Sequence, residues 1–279
     1  MPRINNNIPA MVTGNALRTV DRSMQKSLEK LSTGLRINRA ADDAAGLSVS
    51  EQLRTQVRGL GMGLRNALDG VSLLNIAEGA LIEVQAMLQR IRELSIQAAN
   101  DTLTSVERGY IQVEVSQLKE EIDRIVNGTQ FNSQRLLNGL DPWGTGGILH
   151  IGPNNDPTAD VIMITIGSMT TTGLQIDGAN AEVTTQTGAT AAISALDVAL
   201  TSVNTLRADL GAKVNRLEHA ITNQENQQQN MQAAESVIRD TDFAFETTRF
   251  SRNQILQQSS TAMLAQANMI PQSVLSLLS

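Results

Sequence analysis

The chain has 279 residues, of which 41% are apolar but only 2% aromatic, and a formal net charge of −6. That length suits one large domain or two modest ones, and the acidic balance without a long basic block argues against nucleic acid as a partner. With no cysteine, a disulfide framework, a thiolate zinc site and a Cys nucleophile are excluded.

The N-terminal Met1–Asn7 has no charged stretch leading into an apolar one, so no secretory signal is expected. No run of about 18 apolar residues stands out, so no membrane span is expected either. Leu17, Val20, Met24, Leu28, Leu31 and Leu35 step by three or four, as a one-sided helix requires. Ser32-Thr33-Gly34 reads as its end, and Gly34–Gly46 as an irregular linker.

A second series, Leu53, Val57, Leu60, Leu64, Leu68, Val71 and Leu74, continues through Leu81, Val84, Leu88 and Ile91. One helix from about Leu47 to Ala98 would be roughly 75 Å long. A helix of that length belongs to a coiled coil or fibrous assembly, not to a compact domain. Thr104 and Glu107 have capping-box spacing and open a third helix with Ile111, Val115, Leu118, Ile122 and Ile125, which Asn127-Gly128 should stop.

The middle changes character. Gly147–Ile151 and Val161–Ile166 are apolar or β-branched, and the Gly152–Pro157 cluster between them is turn chemistry, so one β-hairpin is expected. The Thr-rich stretch from Met169 to Thr190 reads as exposed loop. Helical periodicity resumes at Leu196 and runs through Ile221; the polar tract Asn223–Asn230 fits a helix facing solvent. Arg239–Asp242 marks a break before a last amphipathic helix, Phe243–Ser279.

The fold class is therefore mainly α: a long helical coiled-coil or rod bundle of N- and C-terminal segments, with one small β-hairpin and loop insert at about 140–188. Both ends carry apolar stripes with little chain nearby to cover them. Burial is favourable by about 25 cal/mol per Å², so the stripes should find partners in other molecules. Periodicity alone predicts a helical self-assembling protein.

Several motifs resemble those of bacterial flagellins. Glu29–Asn38 (EKLSTGLRIN) and Ala41–Gly46 (ADDAAG) are similar to the N-terminal flagellin signature. Asn66–Gly70, Glu78–Leu81, Gln89–Leu94 and Phe131-Asn132 continue it. Leu206–Gly211, Asn215–Leu217, Gln254–Gln258, Leu264–Asn268 and Pro271–Leu278 resemble the C-terminal signature. The resemblance covers roughly residues 1–139 and 190–279, and the middle looks like a short form without large outer domains.

That resemblance implies a structural subunit that self-polymerises into the extracellular flagellar filament for swimming. It implies an inner coiled-coil domain from 1–46 and 235–279, with Gly34–Gly46 as spoke, and an outer rod from 47–234. Leu17, Val20, Met24, Leu28, Leu31, Leu264, Val274, Leu275 and Leu278 would serve self-assembly. Implied partners are other copies, an export chaperone, the flagellar type III export apparatus, and cap and hook-associated proteins. Arg90, Leu94 and Glu114 match positions that the host Toll-like receptor for flagellin contacts. Against that stands packing of Leu94 in the rod, with Arg90 and Glu114 touching neighbouring subunits.

Other features have plainer readings. Asp42 and Asp43 sit near Arg36 and Arg39, which suits ion pairing or helix N-terminal charge better than acid–base chemistry. Gly59, Gly61 and Gly63 lack the strand and Lys-Ser/Thr of a phosphate loop, so close packing is the better account. His150 and His219 have no ligand partners of recognisable spacing. No cofactor, metal site or catalytic group is expected, hence no enzyme. Thr170, Thr171 and Thr172 are candidate O-glycan acceptors. The alternative function is a hook-associated junction protein with the same terminal signatures; a membrane-inserting translocator would need longer apolar segments.

Overall fold

The computed structural model describes residues 6–140 and 142–276, apart from the side chains of Ala179 and of residues 270–276. Five helices dominate: α1 (Ile8–Thr33), α2 (Ala44–Ala98), α3 (Ser105–Gly128), α4 (Gln186–Arg239) and α5 (Phe243–Ser276). Between α3 and α4 lie β1 (Gln130–Phe131), β2 (Gln134–Arg135), β3 (Gly147–His150), β4 (Val161–Ile164) and a 3-10 turn (Gly178–Ala181). Met1–Thr55 with Asn230–Ser279 form one compact unit, and Gln56–Gln229 the other.

In the first unit, α1 opens at Asn7, whose side chain accepts the Ala10 amide, with Pro9 in the first turn, where a missing N–H costs nothing. It closes at Gly34, whose φ of 73° is left-handed and suits glycine. α5 runs antiparallel to it: Asn7 Nδ2 donates to the Ala267 carbonyl at 2.9 Å, and Gln257 Nε2 to Asp21 Oδ1 at 2.9 Å. The inward positions of α5 are Glu246, Phe250, Asn253, Gln257, Ser260, Leu264 and Ala267, alternating four and three. Much of that seam is polar.

The two linkers are bonded to each other. Leu35 and Asp240 form an antiparallel bridge, the Arg36 amide donates to the Arg239 carbonyl at 2.6 Å, and the Thr241 amide to the Gly34 carbonyl at 2.9 Å. Arg239 Nη1 reaches Glu51 at 2.6 Å. The chain breaks expected at Gly34 and at Arg239–Asp242 are therefore one paired feature.

In the second unit, α2 buries Leu60, Ala67, Leu74, Ala77, Leu81, Val84, Leu88, Ile91 and Ala98 along one seam. Val115, Ile122 and Val126 of α3 and Leu196, Val203, Leu210 and Leu217 of α4 join the same core. Each fully buried Leu or Ile contributes about 1.5–3 kcal/mol. On length and composition alone, stretches of α2 and α4 are apolar enough to cross a membrane. Small and polar residues interrupt their apolar runs, and in the structure their seam side chains close this core. The capping box of α3 is complete: Glu107 Oε2 accepts the Thr104 amide at 2.7 Å, and Thr104 Oγ1 accepts the Glu107 amide. Those bonds from Thr104 hold the Glu107 carboxyl below its ordinary range, so the cap loosens only as pH falls through that depressed value.

The expected hairpin is β3–β4, paired antiparallel from Gly147↔Ile164 to His150↔Val161. Its loop crosses α2 at close range. A Cβ on Gly63 would lie 1.7 Å from the Ile151 carbonyl oxygen, and one on Gly59 2.9 Å from Pro153. Gln224 Nε2 of α4 donates to that same Ile151 carbonyl at 2.7 Å, and Asn66 Nδ2 to the His150 carbonyl at 2.7 Å. The glycine series on α2 is thus a track for loop backbone.

α3 ends at Gly128, as expected, though through an extended Thr129 and not a left-handed glycine. Three expectations are corrected. A second, smaller hairpin exists, β1–β2, turned by Asn132 and Ser133 at φ 48° and 64°. Two successive left-handed residues make this tight turn, without the glycine that usually announces it. The Thr-rich stretch is not an exposed loop: Met169, Thr171, Leu174, Ile176, Ala181 and Val183 are buried. Three α3 side chains fasten it. Asp123 accepts the Thr171 amide and hydroxyl at 2.8 and 2.7 Å, Gln112 Oε1 accepts the Val183 amide, and Lys119 Nζ donates to the Ala181 carbonyl. Last, the Asn223–Asn230 tract is helical but not wholly solvated, since Gln224 is buried on the hairpin.

Gly63→Ala is expected to destabilise the second unit by about 3 kcal/mol or more, because loop backbone must retreat. Gly109→Ala, at a helical position with open space around it, should stabilise by about 0.5–1 kcal/mol. Thermal unfolding of the two variants beside the parent checks both signs.

Candidate assembly and receptor surfaces

Arg90 and Glu114 are brought together. Arg90 Nε and Nη2 both approach Glu114 Oε1 at 3.0 Å, and Nη1 approaches Glu93 Oε2 at 3.2 Å. The bonds to Glu114, then Glu93, raise the guanidinium above its ordinary value, so it stays a cation. All three groups are on the surface. Leu94 is not: it is 2% exposed and belongs to the α2 seam. Four-residue spacing put Arg90 and Leu94 on one side of α2, but the seam spans more than one row, and Leu94 lies inside its edge.

Leu17, Val20, Met24, Leu31 and Leu264 are half-buried where α1 meets α5, while Leu28 is 56% exposed. The side chains of Val274 and Leu275, and Leu278 altogether, lie outside the described residues. Sequence reasoning missed a larger apolar display on the same helices: Ile8, Met11, Val12, Phe245, Ile255 and Met263 all face outward. The signal is a second apolar phase on each helix, beside the single stripe that helical periodicity predicts.

Thr171 is buried on Asp123, Thr170 is half-buried with its hydroxyl beside Ser168 Oγ, and Thr172 is exposed. Asp43 Oδ1 accepts the Gly46 amide and opens α2, and Asp42 Oδ2 accepts the Arg39 amide. Both carboxylates are occupied by local structure. His150 and His219 are exposed, and no cluster of metal-ligating side chains occurs among the described residues.

A helix pair with a partly polar seam, whose outward faces carry large apolar side chains, fits a self-associating structural protein. The comparisons with known proteins make this specific. Residues 4–141 match the bacterial flagellin N-terminal helical region, and residues 193–278 the bacterial flagellin C-terminal helical region. The flagellar filament 33 kDa core protein of Treponema phagedenis is 47% identical, over 99% of both chains. A flagellin of Halalkalibacterium halodurans is also 47% identical over 99% of both. The crystal structure of Bacillus cereus flagellin, 30% identical, superposes with a TM-score of 0.50 over 57% of this chain and 88% of that one.

The chain belongs to the bacterial flagellins. It is a non-enzymatic subunit that polymerises into the flagellar filament and serves motility. Full-length identity to filament subunits sets aside the junction-protein alternative.

Arg90→Ala is expected to change unfolding free energy by at most about 1 kcal/mol, as an exposed ion pair allows. Leu94→Ala, which empties a core position, should cost about 2–5 kcal/mol. Chemical denaturation of the two single variants separates these magnitudes.

Proposed function

We propose that the filament is held at its centre by the α1–α5 pair, with 1–46 and 235–279 acting as the inner domain and 47–234 as the outer rod. The observation that carries this is the outward apolar phase of both helices, from Ile8, Met11 and Val12 on α1 to Phe245, Ile255 and Met263 on α5. Leu17, Val20, Met24, Leu31 and Leu264 hold the two helices together, and Leu28 joins the outward set. Val274, Leu275 and Leu278 extend the same service along the C-terminal segment. Because the α5 side of the seam is largely polar, the pair is weak alone and gains most of its burial from other copies.

Leu28→Asp is expected to leave the helical circular-dichroism signal intact and abolish sedimentable filaments. A charge desolvated at every subunit contact costs several kcal/mol each. Ordinary filaments from that variant would remove α1 from the polymer interface. Limited proteolysis should also trim both ends of the dilute parent monomer and spare them in filaments.

The same exposed apolar content supports an export chaperone on about Phe243–Ser279, since such a segment would otherwise polymerise early. Passage through the flagellar type III apparatus, and contacts with cap and hook-associated proteins, follow from the subunit's place in the flagellum. Thr172 is the O-glycan candidate whose position is open to an enzyme; Thr171 is not accessible.

A receptor role rests on the Arg90–Glu93–Glu114 group, with Leu94 supporting it from within. Monomer is expected to activate a reporter cell carrying the host Toll-like receptor for flagellin, while stabilised filament does not. The Arg90→Ala/Glu114→Ala monomer should be weaker by about tenfold or more. Equal potency of that variant and the parent would remove these residues from the receptor contact.

A further inference from the structure

We propose that two outward stripes of the rod unit, one on α2 and one on α3, are the two halves of a contact between neighbouring copies of this chain. The inference takes the family's self-polymerisation as given and names a rod surface that serves it.

Opposite its buried seam, α2 carries a second series with the same alternation of four and three: Arg58, Met62, Arg65, Asp69, Ser72, Ile76, Gly79 and Glu83. Every one is exposed. Arg58 and Arg65 have no acidic partner among the described residues; Arg65 meets only the sulfur of Met62. Gly79 lies deep inside a 55-residue helix, where glycine is costly relative to alanine. Gly59, Gly63 and Gly70 have an internal reason to be glycine, since their Cβ space is filled by the hairpin and its loop. Gly79 has nothing within 4 Å of its Cβ position. It leaves a notch in the outer surface, next to the exposed Ile76.

α3 carries the matching stripe: Val106, Tyr110, Val113, Gln117, Glu120 and Arg124, all exposed. Tyr110 is 73% exposed, the most open of the three apolar members. Glu120 has only the Gln117 amide as a polar neighbour and no cation among the described residues.

The charges and the order along each helix are complementary. α2 is basic first and then apolar; α3 is apolar first and then acidic at Glu120, and the Arg124 that follows is already paired with Glu121. The two helices run in opposite directions in the rod, as the Arg90–Glu114 and Arg108–Ala98 contacts require. In rods of one polarity, α3 of a neighbour therefore lies antiparallel to α2. Arg65 to Gly79 and Glu120 to Val106 each span about 21 Å at helical rise. With Arg65 opposite Glu120, Val113 falls over Ser72, Tyr110 beside Ile76, and Val106 into the Gly79 notch. Asp69 then meets Gln117, and Arg124, held by Glu121, falls beside Met62. Because the two stripes are different surfaces of one subunit, the contact is heterologous and repeats without closing, as a filament needs.

The chain has no cysteine, which makes trapping clean. Gly79→Cys chains mixed with Val106→Cys chains are expected to give cross-linked dimers under a mild copper oxidant once polymerised, and none as monomers. Gly79→Cys mixed with Val198→Cys, an exposed α4 position, should give none in either state. Filaments of the first mixture without the dimer would overturn the proposal. Charge reversal decides independently. Arg65→Glu and Glu120→Arg, each folded by circular dichroism, should each raise the critical concentration for polymerisation about tenfold, and the two combined in one chain should restore it to within about twofold. Single variants that polymerise like the parent, or a double variant no better than the singles, would equally overturn it.

Discussion

The second unit depends on one repeat. From Leu60 to Ala98, buried positions on α2 recur by three and four without interruption. A seam that regular keeps facing the same partners over its whole length. α3 and α4 can then be long as well, because each turn of α2 presents an apolar site at the same azimuth. The few aromatic residues fit this. A thin bundle has no deep interior to fill, and Leu, Ala, Val and Ile suffice. Trp143 is the exception, buried beside β3 where the helical repeat gives way to the hairpin.

The same repeat explains how the irregular middle is anchored. Small residues on α2, Gly59 and Gly63, leave room for the loop around Ile151, and Gln224 ties its carbonyl from the other side. On α3, Gln112, Lys119 and Asp123 reach the segment from Thr171 to Val183. Backbone groups that would otherwise need water are satisfied by helix side chains. Burial outweighs the opposing charges of Asp177 and Glu182 at Lys119, so its ammonium sits below its ordinary range, while it keeps the Ala181 carbonyl as an acceptor.

How much of this was legible in the sequence follows from the range of the interactions. The helices, the Thr104–Glu107 cap and the β3–β4 hairpin were readable, because period and turn chemistry are local. The burial of Thr171 was not. It depends on Asp123, far away in sequence, and a Thr-rich stretch carries no local sign of such an anchor. The β1–β2 turn was missed because Asn132 and Ser133 adopt left-handed backbone without a glycine to announce it. At the candidate receptor surface, spacing placed Arg90 and Leu94 together, but the width of the seam decides that one is inside and the other out. The outward phase of α1 and α5 was half legible: the stripes were seen, but not which side faces the partner helix.

The bonding between Gly34–Arg36 and Arg239–Thr241 joins two stretches that the sequence keeps far apart. Their lengths are consequently not independent. Adding or removing one residue in either linker alone would put the bridged stretches out of step and strain the register of α1 against α5. A change made in both linkers could leave the helix pair undisturbed. Lineages of this protein should therefore tolerate length changes at the two linkers only when both change together.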